Sequence, residues 1–563
     1  MIYYKLILTF CLYSYSIFAL SLLGWINSFS ISISSILALA SFILLSLKNK
    51  PAPRFPKVFL VLLPAFLPFL FLPIYLKDDL LYHFYVPKIL ANTGSFPADP
   101  FNVNTQFPML FEMSLVFSQL FSFVPPFLPA LGTLLLSASF FTYIIRKESP
   151  PPHNSLHETL FVTAFFTQQV FFSFAHSGYV DHFFALLIMM GLYAYRNFQK
   201  SRKEASYWYW GLAMLSLSCA VKYTGLYFLG AILALEFFHK KNNKLYYRGL
   251  LLCLILSSPF YIKNFFFTSN PFYPFLSFLF PSDYLSVARA LLFKKLIESH
   301  IFAQTFLEIM AAPLTLMSGQ DLFHGSFKNH QLSLLFILAL APYLKWQRDN
   351  RHLLAVCFFY YLIWIFTSQQ VRFLLPIVLF LTPLGYQYIL TRWHRKRSSR
   401  FISFFLVAAL MQNAYHLYGY LKEQKILDYF AGHISKEALI KKHAYHAYLS
   451  AAFCNQNLTK NHKIMLIGGF GRSYYYDIPV LANTHHDAEI FAKGFLKESP
   501  NPAIILDFFS ANKVTHLAID DAFLDSFFAA NHHIDLAGIK AFISAHARKI
   551  YQHQTVRILE ITH

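Results

Sequence analysis

The chain has 563 residues, of which 56% are hydrophobic and 13% are charged, and its formal net charge at pH 7 is +20. Water-soluble domains carry about 25% charged residues, so this composition excludes a set of soluble domains and indicates a polytopic α-helical membrane protein. The positive charge does not indicate nucleic-acid binding, because the lysines and arginines stand in short clusters between apolar runs, where they orient membrane spans.

The apolar runs predict about 13 membrane spans, at about 17 to 25 residues per helix. The first run is interpreted as a span and not as a cleaved signal peptide, because it lacks a basic leader and a small-x-small cleavage site. In chain order the predicted spans are residues 5–25, 28–47, 55–76, 126–145, 158–177, 182–196, 206–220, 223–238, 247–263, 331–344, 353–367, 372–391 and 401–418.

Four loops between these spans are rich in lysine and arginine, and each follows an even-numbered span. Because positive charge collects on the cytoplasmic side, the pattern predicts a cytoplasmic N-terminus and, with an odd number of spans, a C-terminal portion on the opposite side. It places the loops 77–125 and 264–330 and the tail from about residue 420 on the outer side. The basic residues are Lys48, Lys50, Arg54 and Lys57; Arg196, Lys200, Arg202 and Lys203; Lys240, Lys241, Lys244 and Arg248; and Arg392, Arg395, Lys396, Arg397 and Arg400.

Two segments depart from the pattern of spans. Between Phe96 and Phe123 the chain is apolar but interrupted by three prolines, which favours helices lying along the membrane interface. The tail instead contains short apolar runs typical of buried strands, with helical stretches such as 486–498 between them. The sequence therefore predicts a membrane domain over 1–419 and a small α/β domain over 420–563. The strand-like runs are "KIMLIGGF" (463–470), "VTHLAID" (514–520) and "TVRILEI" (555–561).

Cysteine usage predicts no disulfide framework. Cys11, Cys219, Cys253 and Cys357 fall within apolar runs, and Cys454 is alone in the polar tail.

Two adjacent acids, Asp78 and Asp79, follow the third predicted span. One interpretation is a solvated loop acid paired with Lys77. The other is a general base, because two neighbouring carboxylates at a partly desolvated site repel each other and raise the proton affinity of at least one of them.

The segment "DDLLYHFYVPKILANTGSFPADPFNVNTQFPMLFEM" resembles the first outer loop of bacterial membrane glycosyltransferases of the GT-C class, relatives of the protein O-mannosyltransferases and the lipid A aminoarabinose transferase. Further segments match in the same order: "YVDHFFALLIMMGLYA", "AVKYTGLYFL", "SPFYIKNFFFTSNPFYPF" and "QQVRFLLPIVLFL". The resemblance covers about residues 70–390. One departure is that two predicted spans, where one is usual, precede the span that leads to the acids. The matching residues are Asp78, Tyr82, His83, Pro87, Asn102, Pro108, Glu112, Asp181, Lys222, Lys263, Asn264, Asn270, Pro271 and Arg372.

This resemblance implies a GT-C-like enzyme of the bacterial inner membrane whose donor is a sugar on a polyprenyl phosphate. Asp78, which keeps the family's spacing to Tyr82 and His83, would activate an acceptor hydroxyl that displaces the lipid phosphate with inversion, while Asp79 would tune or orient it. Because the leaving group is already a phosphate, no cofactor is required. A divalent metal held by His83, Asp78 and Glu112 is an additional option.

Each remaining candidate has two interpretations. Arg372 offers a bidentate match to phosphate oxygens or anchors its span at the headgroups, and Lys222 has the same alternatives. Lys263 has the same two alternatives, and the interface anchor is favoured. Asp181 is a site acid or a helix cap. Glu112 stands among apolar residues, where a partner or a substrate contact would offset the cost of its charge.

Two tail motifs resemble ligand-binding sites in sequence. "THHDAE" (484–489) resembles a metal cluster, but adjacent histidines point apart and no second ligand pair has suitable spacing. "GGFGR" (468–472) follows a strand but lacks the G-x-G-x-x-G spacing, so a tight strand-to-helix turn is expected.

The sequence thus favours a membrane glycosyltransferase whose partners are membrane lipids, a polyprenyl-phosphate sugar and a lipid, glycan or protein acceptor. A transporter or flippase is the rival; it would place charge deep in several spans, whereas here the charges stand at outer span ends. A non-catalytic scaffold with the same fold is the third alternative.

Overall fold

The computed structural model describes residues 1–47, 57–97, 102–148, 155–201, 204–239, 243–282, 284, 294, 298, 300–318, 332–345, 350–392, 396–468, 472–482, 489–529 and 533–562. Helices dominate the part before residue 460. They are α1 (Ile2–Leu22), α2 (Ser28–Leu47), α3 (Phe59–Phe66), α4 (Tyr85–Thr93), α5 (Val116–Leu120), α6 (Leu128–Glu148), α7 (Ser155–Phe166), α8 (Gln169–Ala175), α9 (Asp181–Lys200), α10 (Ala205–Val221), α11 (Gly225–His239), α12 (Asn243–Thr268), α13 (Phe306–Ser318), α14 (Phe336–Leu340), α15 (Arg351–Thr367), α16 (Leu375–Arg392), α17 (Lys396–Glu423), α18 (Ile426–Phe430) and α19 (Lys436–Asn457).

Five helices in the described part of the chain are long and apolar enough to cross a membrane: Ile2–Leu22, Leu128–Glu148, Lys244–Thr268, Val371–Thr391 and Arg400–Glu423. The predicted spans coincide with helical segments, but several of these helices are shorter than a bilayer requires. A helical membrane protein is therefore confirmed, whereas the count of about 13 spans stays a prediction.

Three predicted spans are interrupted. Residues 158–177 divide into α7 and α8 at Gln168, which is extended; its side-chain amide donates to the Phe165 carbonyl (2.7 Å), and its Oε1 accepts from the Ser333 amide (2.8 Å). Residues 55–76 and 331–344 each contain a proline-bearing 3₁₀ turn, Leu67–Phe71 and Ala341–Lys345. Proline lacks an amide proton and ends regular α-helical bonding locally.

Helix α9 forms the centre of the membrane part. It is buried along almost its whole length and packs against α6, α10 and α16. Its approach to α10 depends on a small residue, because a Cβ at Gly191 would lie 2.7 Å from the Leu215 side chain. Asp181 is the first residue of this helix, so the packing of α9 fixes the position of that carboxylate.

The segment from Phe96 to Phe123 is largely irregular and mostly buried against the rest of the protein, which differs from the predicted helices along the membrane interface. Its described residues form 3₁₀ turns at Val103–Gln106 and Glu112–Leu115, followed by α5. Most of these side chains are buried, and the Leu110 amide donates to the Ala220 carbonyl (3.1 Å). Pro97 and Pro108 are compatible with such an irregular chain, because proline does not continue regular α-helical bonding.

The tail contains a five-stranded mixed sheet. Its strands are β1 (Ile464–Ile467), β2 (Val480–Ala482), β3 (His516–Asp520), β4 (Ala547–His553) and β5 (Val556–Ile561), in the order β2-β1-β3-β5-β4. Strand β1 is parallel to β2 and β3, and β5 is antiparallel to β3 and β4. The helices after β2 are α20 (Glu489–Gly494), α21 (Ala503–Ala511), α22 (Asp521–Ala529) and α23 (Leu536–His546).

Two apolar clusters stabilise this sheet. Residues of α20, α21 and α23 pack on one face, and residues of α19 pack on the other. The three predicted strands correspond to β1, β3 and β5, and the small C-terminal α/β unit is confirmed. The boundary at residues 419–420 stays a prediction.

Candidate active site

The two adjacent acids lie at a turn of unusual geometry. Residues Asp79–His83 form a π-helical turn, closed by the Phe84 amide donating to the Asp79 carbonyl (3.0 Å). Such wide turns are rare and occur frequently at functional sites. Helix α4 follows, with Pro87 in its first turn, where the missing amide proton is tolerated.

Asp78 lies beside Arg372, although 294 residues separate them in the chain. Both terminal nitrogens of the guanidinium approach Asp78 Oδ2, at 3.3 and 3.4 Å. Arg372 belongs to the 3₁₀ turn Val371–Leu374 before α16, and its Nε donates to Gln370 Oε1 (2.9 Å). Asp78 thus pairs with Arg372, whereas its neighbour in sequence, Lys77, is exposed.

Asp181 joins a second cation to this pair. Its Oδ1 accepts a hydrogen bond from Lys222 Nζ (2.6 Å), and its Oδ2 lies 3.8 Å from Arg372 Nη1. The residue before it, Val180, occupies the helix cap position, so the Asp181 carboxylate faces cations and does not act as the cap. Asp78, Arg372, Asp181 and Lys222 thus form a row of alternating charge.

Aromatic rings border the two cations. Lys222 Nζ lies 3.7 Å from the centroid of the Phe373 ring, and the Arg372 guanidinium lies 4.7 Å from the Tyr179 centroid. Burial lowers the pKa of Lys222, an effect that the Asp181 carboxylate opposes. Cations held over aromatic faces at a partly desolvated site are suited to an anionic group.

Asp79 has an environment unlike that of Asp78. Its side chain is fully buried, Oδ1 accepts from the Gly178 amide (2.8 Å), and Oδ2 has no hydrogen-bond partner within the described ranges. Burial raises the pKa of Asp79 well above its ordinary value of 3.8; the Gly178 amide opposes this shift, and the Asp78 charge adds to it. The geometry therefore fits Asp79 for holding the turn and leaves Asp78 facing the cations.

His83 and Glu112 form a buried pair. His83 Nδ1 lies 2.8 Å from Glu112 Oε1, and the Tyr82 ring lies 3.9 Å from the imidazole centroid. Glu112 thus has a partner, as the cost of its charge requires. No three histidine, cysteine or acidic side chains converge as a metal site in the residues that the structure describes. The set of Asp78, His83 and Glu112 does not form a three-ligand site there.

The other matching residues lie around this cluster. Asn102 donates to the Leu81 carbonyl (3.0 Å) and thereby supports the π-helical turn. Lys263 is buried, 4.5 Å from the Phe96 ring centroid and 3.4 Å from the Gln106 carbonyl oxygen, which corrects its interpretation as an exposed interface anchor. Its contact with Gln106 belongs to the irregular segment 102–116, whose burial has no signal in the sequence pattern.

Most residues of the two tail motifs lie outside the part of the chain that the structure describes. Residues 484–488 of "THHDAE" and 469–471 of "GGFGR" lie outside the described residues. Gly468, at the end of β1, has a φ of 102°.

Sequence reasoning missed Gly178, Tyr179 and Phe373. Tyr179 and Phe373 are adjacent to motif residues and border the cations, but aromatic residues are too frequent in this chain to stand out. Gly178 packs against the π-helical turn, because a Cβ there would lie 2.9 Å from His83 Cβ. Its position three residues before Asp181 was its only sequence signal.

Residues 109–379 match a family model described as a domain of unknown function, DUF8201. No curated protein matches the sequence. Among solved structures, the oligosaccharyltransferase of Archaeoglobus fulgidus in complex with Zn and sulfate has a TM-score of 0.50 and 11% identity, over 90% of this chain and 73% of that chain. ArnT from Cupriavidus metallidurans bound to undecaprenyl phosphate has a TM-score of 0.49 and 11% identity, over 89% and 97%.

The chain has a fold similar to that of GT-C membrane glycosyltransferases. At 11% identity the likeness concerns the fold, and it confirms the resemblance that the motifs predicted.

Proposed function

We propose that this protein is an integral membrane glycosyltransferase that moves a sugar from a polyprenyl-phosphate donor to an acceptor on the outer face of the membrane. Asp78 is the general base, and Arg372 and Lys222 bind the donor phosphate. The product forms with inversion, because the acceptor displaces the phosphate in a single step. The fold shared with an oligosaccharyltransferase and the order of the motifs support the same class of reaction.

The observation that carries this proposal is the contact between Asp78 and Arg372, at 3.3 Å. The reaction requires a base for the acceptor hydroxyl and a cation for the phosphate within one sugar's reach of each other. A carboxylate beside a guanidinium, with a second cation joined through Asp181, provides both groups.

The chemistry follows from these positions. The acceptor oxygen attacks the anomeric carbon while its proton passes to the Asp78 carboxylate. The bond between the anomeric carbon and the phosphate oxygen breaks, and its electron pair remains on the phosphate. Arg372 and Lys222 stabilise the negative charge that develops there, and preorganised cations at a partly dry site need little rearrangement to do so.

Asp181 and Asp79 have positioning roles. Asp181 holds both cations when no phosphate is bound, so the site avoids the cost of two unpaired charges. Asp79 fixes the π-helical turn to the Gly178 amide, and its raised pKa keeps this carboxyl from competing as a second anion beside Asp78.

A variant of the base tests the proposal. Asp78→Asn keeps the shape of the side chain and removes the proton acceptor, so we expect transfer to fall by about 10²- to 10⁴-fold, as for other general bases. The measurement is mass spectrometry of outer-face glycolipids, glycans and glycoproteins from cells that carry the wild-type chain, Asp78→Asn or no chain. A product missing from the last two cell lines supports the proposal and identifies the sugar and acceptor.

Arg372→Ala separates donor binding from chemistry. Loss of charge-assisted contacts to phosphate is expected to weaken the affinity of the purified chain for undecaprenyl phosphate by about 10- to 100-fold. Arg548→Ala is the matched control, since this arginine pairs with Glu560 on the C-terminal sheet, away from the cluster.

Each variant has an outcome that contradicts its prediction. A wild-type product level in Asp78→Asn cells would exclude Asp78 as the base. Unchanged affinity of Arg372→Ala for undecaprenyl phosphate would favour the anchor interpretation of Arg372.

A further inference from the structure

The connection between β1 and β2 lies against the outer loop that carries the candidate base. Lys88, in helix α4, points its ammonium group at three acceptors of this connection. Its Nζ donates to the Tyr474 carbonyl (2.8 Å), the Tyr476 carbonyl (3.1 Å) and Asp477 Oδ1 (2.8 Å). An ammonium group has three protons, so one short segment satisfies all of them.

The same segment contacts the membrane part at two further points, one in the outer loop and one just before it. The Tyr474 hydroxyl donates to Gln119 Oε1 (3.2 Å), and the Tyr475 hydroxyl donates to the Ile74 carbonyl. Ile74 comes shortly before Asp78, and Lys88 comes shortly after His83. Residues 473–477, here termed the latch, therefore hold the chain on both sides of the acid-bearing turn.

The turn needs external support. Residues 73–76, which lead into the helical pair Lys77 and Asp78, have no regular secondary structure, and Asp79–His83 form a single π-helical turn. π-Helical turns are rare and occur mostly as single turns within α-helices; here the chain before the turn is irregular, so hydrogen bonds from neighbouring segments help to fix its position. The latch supplies such groups from a part of the protein that contains none of the residues proposed to touch the substrate.

We infer that the latch is a positioning element for Asp78, and that it acts principally through Tyr475, which belongs to it, and through Lys88 of α4, which binds it. This inference rests on the proposed function and deepens it, because it gives the C-terminal α/β unit a role in catalysis without direct contact with the reacting atoms. The alternative is that these contacts only attach the C-terminal unit to the membrane part.

Lys88→Met tests the inference. It keeps the aliphatic stem and removes all three hydrogen bonds, and a displacement of a base by about 1 Å costs on the order of 10²-fold in rate. We expect product formation per folded copy to fall by about 10- to 100-fold. Affinity for undecaprenyl phosphate is expected to stay unchanged, because Arg372 and Lys222 stand on other elements.

Four other variants show which contacts of the latch affect the rate. Lys88→Arg retains the charge and several donors and is expected to restore most of the rate. Asp477→Asn is expected to change little, because the Asp477 side chain is 65% exposed and both carbonyl acceptors of Lys88 remain. Lys460→Met, at an exposed lysine of the same unit, is the matched control. Tyr475→Phe removes only the contact with Ile74 and provides a second measurement should Lys88→Met yield no folded protein.

The outcomes are distinguishable. A lower rate at unchanged lipid affinity, with rescue by Lys88→Arg, supports the latch. A lower melting temperature or yield with the wild-type rate per folded copy, in Lys88→Met or in Tyr475→Phe, overturns it and leaves attachment as the role of these contacts. If Asp78→Asn is inactive while Lys88→Met and Tyr475→Phe both have the wild-type rate, only this inference fails. Wild-type product in Asp78→Asn cells overturns the proposed function and the inference together.

Discussion

Asp78 and Asp79 are neighbours in sequence, but the fold assigns them different surroundings. Asp78 is partly exposed and faces a guanidinium, whereas Asp79 is buried and accepts a hydrogen bond from a backbone amide. Two carboxylates become chemically distinct when their environments move their proton affinities apart. The π-helical turn produces this difference, because it directs consecutive side chains to different neighbours.

The raised pKa of Asp79 leads to a prediction about pH. Between its ordinary pKa of 3.8 and its higher pKa in the native state, Asp79 holds a proton in the folded protein but loses it on unfolding. The native state binds more protons in this window, so stability falls as pH rises through it. Asp79→Asn, which never ionises, removes this loss.

We therefore expect the melting temperature of the wild type to decrease relative to Asp79→Asn as pH rises from about 4 towards neutrality. The measurement is thermal unfolding of both proteins in the same detergent across this range. A constant difference in melting temperature at every pH would contradict the assignment of a raised pKa to Asp79.

At the residue scale, the motifs indicated several residues that the structure brings together, but not the contacts between them. The distribution of basic loops and the family resemblance both predict that Asp78 and Arg372 lie on the same side of the membrane. The structure brings them into contact. Three further points were not predictable: Asp181 as the bridge between two cations, the burial of Lys263 and the supporting role of Gly178. Such contacts depend on tertiary packing, which spacing along one chain does not encode.

At the scale of elements, the π-helical turn packs closely against the loop before α9. A Cβ at Gly178 would lie 2.9 Å from His83 Cβ, 3.1 Å from Phe84 Cε2 and 3.2 Å from Asp79 Oδ1. A glycine at this position therefore lets the loop approach the turn and donate its amide to Asp79.

Gly178→Ala is expected to displace the turn and lower transfer by about 10- to 100-fold, with a loss of stability of about 1–3 kcal/mol. Product formation per folded copy and thermal unfolding are the measurements. Gly132→Ala is the control, since nothing lies within 4 Å of a Cβ at that position. Wild-type transfer by Gly178→Ala would show that the loop tolerates the displacement and that the contact does not position the acids.

The regular elements were more predictable than the irregular ones. Apolar runs located the helices, and short apolar runs located β1, β3 and β5. Strand β4 was missed because its sequence, "ARKIYQH", is largely polar and lies at the edge of the sheet, where side chains are partly exposed. The break at Gln168 was missed because a side chain replaces backbone hydrogen bonds there, and periodicity carries no sign of such a replacement.

At the scale of the whole molecule, segments distant in sequence meet at one end of the membrane part. Arg372, Asp181 and Lys222 come from different helix ends and meet the turn of Asp78, and the latch reaches the same turn from the C-terminal sheet. Each of these segments follows an odd-numbered predicted span. The distribution of basic loops therefore predicts that the whole assembly faces the outer side.

Cysteine labelling tests this orientation in intact cells. All five native cysteines are buried in the structure, so a single exposed cysteine will dominate the reaction with a membrane-impermeant maleimide. Lys77→Cys, beside the turn, and Lys460→Cys, in the C-terminal unit, are expected to react from outside, because both positions are exposed. Lys244→Cys, at the exposed start of α12 within a basic cluster, is expected to react only after the membrane is permeabilised. Protection of Lys77→Cys together with external labelling of Lys244→Cys would show that the topology is the reverse of the predicted one. The acids would then face the cytoplasm, where no outer-face transfer is possible.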